Sequence, residues 1–286
     1  LHMPSRRQRQ MCIRDSQSFL KNLFHNIVYI NRLIVSTMNG LYLLIPILSG
    51  IVGAIFTSWL VQEYDNYGKK YSHFSDRFTK RSQCDFCQKK LKFYELMPIF
   101  SFILQGGKSR CCNKNLRKKY IVFEGLGALI FMVGALYSLI NISILALLLI
   151  FLIFVDERYK EIALWNNLSL LFWVLHEATY RFEFNEIMAN LIGAVSVTLV
   201  LVFIYFFYRA TRKREGIGIG DIILLFTTFL YFGVPLSLYL LIAASLSLIV
   251  KIIVTRKYKD EHAFGSWIAG FFLIFTVFQE FYEIVG

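Results

Sequence analysis

Apolar residues in this 286-residue chain are gathered into blocks of roughly 15–22, the length at which a helix crosses a bilayer core. In lipid every backbone N–H and C=O must be satisfied within the protein. Repeated blocks of that length therefore leave little choice but helices packed side by side. The hydrophobic share is 56%, above the about 45–50% of soluble domains. The fold class this predicts is all-α: a polytopic membrane helical bundle of about eight transmembrane helices, with a cysteine-containing loop after the first span.

The expected spans run over about 41–61, 121–140, 142–155, 164–179, 187–208, 218–232, 235–253 and 264–283. They divide the chain into an N-terminal arm (1–37), a first transmembrane helix (38–61), a cytoplasmic cysteine loop (62–120) and a transmembrane core (121–286). The arm carries Arg6, Arg7, Arg9 and Arg14 before a polar stretch, so it does not read as a signal peptide. Its first 16 residues read as a disordered basic arm or as non-native sequence. Residues 17–38 are mildly amphipathic, as an interfacial helix would be. Gly50 and Gly53 offer a small-residue packing face on the first span.

Charge orients the bundle. The formal net charge is +12. On a soluble protein that would suggest nucleic acid, but here the basic residues sit in alternate loops, so no nucleic-acid partner is expected. Loop 62–120 holds 14 Lys or Arg and is placed in the cytoplasm. Counting spans then puts Arg158 and Lys160, Arg209 to Arg214, and Arg256 to Lys259 on the same side. The opposite turns, 140–141, 180–186 and 233–234, carry one Arg against Glu183 and Glu186. The expected location is the prokaryotic inner or plasma membrane, crossed many times, with both termini outside.

Asp221 stands where the basic loop Arg209–Arg214 becomes the apolar run Ile222–Phe226, after Gly218 and Gly220. Capping a helix is the ordinary task of such an acid. Asp156 closes the third span on the same side, so the two acids share one depth although 65 residues separate them. Two close carboxylates cannot both ionise cheaply, and one proton is shared. Such a pair works as acid and base together. The ionised partner takes a proton from water, which attacks a peptide carbonyl, and the protonated partner polarises that carbonyl. The chemistry needs no metal or cofactor. Gly218 and Gly220 would let backbone approach a substrate strand, or serve helix packing. Glu124 is a further acid in a span, read as structural. His73, His176 and His262 form no triad or metal helix.

Cys84-x-x-Cys87 is half of a zinc site. The second half should be another such pair, but Ser109-Arg110-Cys111-Cys112 stands there, with Ser109 in register with the first cysteine. Cys111 is recruited with shifted geometry, or three thiolates bind, or metal has been lost. A cytoplasmic loop argues against a disulfide.

Taken in order, these segments resemble the type 4 prepilin peptidases, membrane aspartic peptidases of the GxGD type, from about Gly40 to Gly270. Gly218-Ile219-Gly220-Asp221 resembles the signature with its second catalytic acid. Asp156 to Ile162 followed by Asn166 resembles the segment with the first. Cys84 to Cys87, Tyr94-Glu95-Leu96-Met97-Pro98 and Lys119-Tyr120 with Glu124 are similar to the cysteine loop and its close. Phe264-Gly265 resembles a motif of the last span. The resemblance implies Asp156 and Asp221 as catalytic residues, Gly218 and Gly220 beside the substrate, and Cys84, Cys87, Cys111 and Cys112 as the metal set. It implies cleavage of a basic leader from prepilins or pseudopilins at the cytoplasmic face. It also implies, for some members, N-methylation with S-adenosylmethionine, which the interrupted cysteine loop argues against here. The chain departs from the pattern at Ser109, Ala163-Leu164, Ile223 and Ala263.

A rival reading keeps the acids and drops the enzyme: a transporter or channel-like protein would use them to handle ions or protons. A scaffold derived from a peptidase would keep both acids too far apart to share a proton.

Overall fold

The computed structural model describes residues 41–67, 83–84, 86–87, 89–92, 95, 97–212, 218–256 and 262–285. The N-terminal arm, its expected interfacial helix, His73 and Tyr94 lie outside the described residues. The described chain is helical, without a strand: α1 (Leu41–Asn66), α2 (Phe100–Leu104), α3 (Lys118–Leu136), α4 (Ile140–Tyr159), α5 (Leu164–Arg181), α6 (Phe184–Arg212), α7 (Ile219–Thr255) and α8 (Phe264–Val285). Among the described residues, six helices are long and apolar enough to cross a membrane. The seventh long helix, α5, carries Asn166, Asn167, His176, Glu177 and Arg181.

α7 holds the expected sixth and seventh spans in 37 residues. Gly233 breaks it with φ 71° and ψ 173°, a backbone geometry open to glycine, and Pro235 follows. Ser237 Oγ donates to the Thr228 carbonyl at 3.1 Å. A straight helix would hold those residues about 13 Å apart along its axis. The chain therefore reverses sharply at Gly233, and α7 consists of two antiparallel limbs. The expected turn at 140–141 falls instead at 137–139, where Ser138 takes φ 60°. Ser143 Oγ caps that corner on the Ile130 and Leu139 carbonyls. The turn expected over 180–186 shrinks to two residues between α5 and α6.

α4 is the hub. One face packs Leu145, Leu149 and Leu152 against Leu170 and Val174 of α5, Leu224 and Phe229 of α7, and Ile268 and Phe272 of α8. The other packs Leu147, Phe151 and Val155 against Leu60 of α1 and Phe131 of α3. Leucines at 145, 147, 148, 149 and 152 give this helix two buried faces, while Ile144 and Phe154 stay exposed between them. α1 and α3 close on each other through Gly53 and Gly127, where a side chain on either would strike the partner. α6 lies outermost, with Phe203, Phe206 and Phe207 exposed, as lipid-facing residues are.

Candidate active site

The two aspartates meet at one end of α4, α7 and α8. Asp156 lies in the last turn of α4 and is 4% exposed. Its Oδ2 accepts two hydrogen bonds from Ser266, the third residue of α8: one from the backbone N–H at 2.6 Å and one from Oγ at 2.7 Å. The first N–H groups of a helix have no partner within it, and the dipole there favours a negative group. Asp156 thus caps a helix 110 residues away in the sequence.

Asp221 is the third residue of α7, and Gly218 is the N-cap, with φ −71° and ψ 144°. The carboxylate bonds back to the Gly218 backbone, the position of the acid in a capping box. The capping expected of Asp221 is made from inside the helix rather than from the N-cap. It is half-buried.

Gly265 measures how near the two acids are. A Cβ placed there would stand 2.9 Å from Asp221 Oδ1, 3.2 Å from Asp156 Oδ2 and 2.5 Å from Ile162 Cδ1. Those two oxygens therefore lie no more than about 6 Å apart. One water can bridge such a gap, and sites of this kind tighten further around substrate. Gly220 is also short of space: a Cβ there would meet Ile162 Cβ at 2.9 Å. Gly218 has the Asp221 carboxylate at 3.2 Å from the same point. Ile162 is thus wedged between the glycines of two helices, beside both acids.

α5 fixes the two acid-bearing helices from behind. Asn166 Nδ2 donates to the Leu148 carbonyl of α4 at 3.1 Å, and Asn167 Nδ2 to the Gly220 carbonyl of α7 at 2.9 Å. Ser266 and Asn167 were not singled out by the sequence, and Ile162 only as the close of the Asp156 segment. A weak signal was present for Asn167, a second consecutive amide in a span. Ser266 carried none beyond its place after Phe264-Gly265.

Glu124 lies elsewhere. It accepts the Ile99 N–H at 2.7 Å and a bond from Ser58. It therefore pins the far end of the cysteine loop to α1 and α3. Lys119 and Tyr120 close the same loop by binding Asp65 of α1 at 2.5 and 2.7 Å. The His176 ring lies tilted against Tyr180, 4.8 Å between centroids.

The cysteine loop contains two copies of one turn. Gln83 pairs with Lys90, and Lys108 with Asn115. Cys84 N–H binds the Lys89 carbonyl, and Ser109 N–H the Lys114 carbonyl. The offset is constant, so Ser109 occupies the place of Cys84 and Cys112 that of Cys87. Cys111 turns inward to supply the missing sulfur. Its Sγ lies 3.1 Å from Cys87 and 4.0 Å from Cys112, while Cys84 and Cys112 are 3.8 Å apart. All four sulfurs fall within 4.8 Å of one another, near the about 3.8 Å edge of a tetrahedral site with Zn–S of about 2.3 Å. Burial opposes ionisation of Cys84. Bonds from Ser109 and from the Cys87 and Phe86 backbone outweigh it and lower the thiol to about 6. Ser109 pulls Cys111 the same way, but Cys87, burial, Cys84 and Cys112 raise it to about 12.

Two family models match the chain. The bacterial peptidase A24 N-terminal domain covers residues 34–138, and the type IV leader peptidase family covers residues 143–254. A prepilin leader peptidase/N-methyltransferase of Pectobacterium carotovorum is 27% identical over 66% of this chain and 71% of its own length. One of Dickeya chrysanthemi is 28% identical over 66% and 70%. One of Bacillus subtilis is 30% identical over 57% and 64%. No solved structure matches. The chain belongs to the type 4 prepilin peptidase family. With its six apolar helices, it is a multi-pass protein of the bacterial inner membrane, and its relatives support a type IV prepilin peptidase function.

Proposed function

We propose that this protein is an aspartic endopeptidase that removes the basic leader from prepilin or pseudopilin substrates at the cytoplasmic face. Asp156 and Asp221 are its catalytic pair. The observation that supports this most is the common approach of both carboxylates to the empty side-chain position of Gly265. Two carboxylates that near, with a water between them, cannot both ionise cheaply, and the pair holds one proton. The ionised partner accepts a proton from water as the water oxygen bonds to the scissile carbonyl carbon. The protonated partner donates to the carbonyl oxygen. As the C–N bond breaks, a proton passes to the departing amine. Gly218 and Gly220 border the space a substrate strand would take. The sign of the loops supports the cytoplasmic side, because a basic leader is retained there by the same rule.

The direct test is cleavage of a prepilin by Asp156→Asn and Asp221→Asn in membranes. Each should lose about 10²–10⁴-fold in rate while remaining inserted and folded. Full processing by both variants would rule the proposal out. Asp221-dependent ion flux in liposomes without peptide cleavage would favour the ion-handling alternative.

We also propose zinc at Cys84, Cys87, Cys111 and Cys112, as a structural ion that holds the two turns together. It takes no part in hydrolysis. Purified protein should carry about one zinc, and Cys111→Ser should release it. Ser109→Cys in that background should restore binding, because Ser109 holds the register position. Zinc retained at wild-type level by Cys111→Ser would show that Cys111 is not a ligand. Because Cys111 fills the gap at Ser109, the interrupted spacing no longer argues against a methyltransferase activity. The acid pair supports cleavage alone.

A further inference from the structure

An open groove of about 290 Å³ lies between α1, α3 and α4. Leu147, Phe151 and Phe154 line it from α4 at helical spacing, and Arg158 ends the same stripe. Residues two apart on a helix point about 200° from each other. Phe154 and Arg158 therefore look away from Asp156, and the groove is separate from the acid site.

The stripe from Leu147 to Arg158 is about 16 Å long. Half of a bilayer core is about 15 Å. It is apolar along its length and cationic at the end level with the acids. There Lys119 joins Arg158 in the lining. Lys119 is paired with Asp65 at 2.5 Å. Arg158 lies 5.2 Å from the Tyr64 ring and 5.3 Å from the Tyr159 ring, and makes no ion pair among the described residues. Two cations against one carboxylate leave the rim positive. A long apolar trough with a positive rim at one leaflet is complementary to a lipid whose head carries a net negative charge. Basic pockets between spans recognise such heads.

We propose that this groove binds one anionic phospholipid, its acyl chain along Leu147–Phe154 and its phosphate against Arg158 and Lys119. The lipid would fill the gap between α4, which carries Asp156, and the α1–α3 pair.

The test uses the full chain, purified and placed in nanodiscs or detergent. Binding of phosphatidylglycerol and of phosphatidylcholine with the same acyl chains is measured by native mass spectrometry. The wild-type protein should favour phosphatidylglycerol by about fivefold for each cation engaged. Arg158→Gln should cut that preference by about fivefold, leaving the share of Lys119, and Arg158→Lys should keep most of it. Ile150→Trp, which fills the trough without touching the charge, should weaken both lipids. Equal binding of the two lipids by wild-type protein overturns the proposal, and that result does not depend on any variant folding. A preference unchanged in folded Arg158→Gln overturns it too. Inorganic phosphate should compete poorly. Full displacement of phosphatidylglycerol by millimolar phosphate would mean an anion site rather than a lipid site.

Discussion

Two polar clusters lie in this apolar bundle, at opposite ends of the same helices. Asp156 and Ser266 mark one end of α4 and α8. Asn141 and Glu280 mark the other, about 20 Å along each helix. At that far end Arg181 binds Glu177 at 2.5 Å and also Glu280, while Asn141 Nδ2 reaches both Glu177 oxygens at 2.9 Å. Here a cation lies between two buried acids, and a charge held that way has nothing left to do but fasten helices. At the near end two acids face each other with no such cation between them in any described ion pair. A pair of like charges is a poor fastener, and it retains the proton-handling capacity that hydrolysis needs. The contrast distinguishes a buried acid that holds the fold from one that can do chemistry.

The largest effect should come from breaking the fastener. Arg181→Met leaves Glu177 and Glu280 buried without their cation, and removing one partner of a buried ion pair costs about 3–5 kcal/mol. Thermal unfolding should fall steeply, while prepilin cleavage per folded molecule stays near wild type. Adding Glu177→Gln and Glu280→Gln should recover most of the loss, since no unpaired charge then remains. Lost cleavage in well-folded Arg181→Met would erase the division between the two ends.

Gly265→Ala tests the near end next. The added methyl would meet Ile162 and both carboxylates. A displacement near 1 Å at a reacting pair costs about 10²-fold in rate, with a small effect on stability. Ile162→Ala removes only one of the three contacts, so the double variant should stay slow. Recovery of full activity in the double variant would show that Ile162, not the acids, sets the limit at Gly265.

These clusters were unequally legible in the sequence. The blocks of apolar residues and the sign of each loop placed Asp156 and Asp221 at one end, because both signals are local and repeated. The reversal in α7 was expressed as a two-residue gap at Gly233-Val234. In the structure a single glycine of positive φ makes that turn, with helix running up to it on both sides. The fastener was not anticipated. Arg181 and Glu280 are far apart along the chain; Arg181 reads only as the one basic residue of an outside turn, and Glu280 was not singled out. Ser266 was missed for the same reason, since no local pattern says which helix an N-terminus will face. The cysteine loop was legible down to the register of Ser109. The inward turn of Cys111 depends on a fold of the second turn that spacing alone leaves open.

The smallest expected effect falls on the bond that joins these two lessons. Ser266 Oγ donates to the same Asp156 oxygen as its own N–H, so Ser266→Ala removes one bond and leaves the other. A hydrogen bond to a charged group contributes about 1.5–3 kcal/mol, and the retained N–H puts the loss at the lower limit, about tenfold in rate. A role in packing alone would move stability and leave the pH–rate profile in place. A role in positioning Asp156 should shift that profile, because the bond acts on one protonation state of the pair more than the other. Ser266→Thr keeps the hydroxyl and should restore both rate and profile. A Ser266→Ala enzyme with unchanged rate and profile would mean that the α8 N-terminus alone orients Asp156, and that the hydroxyl is dispensable.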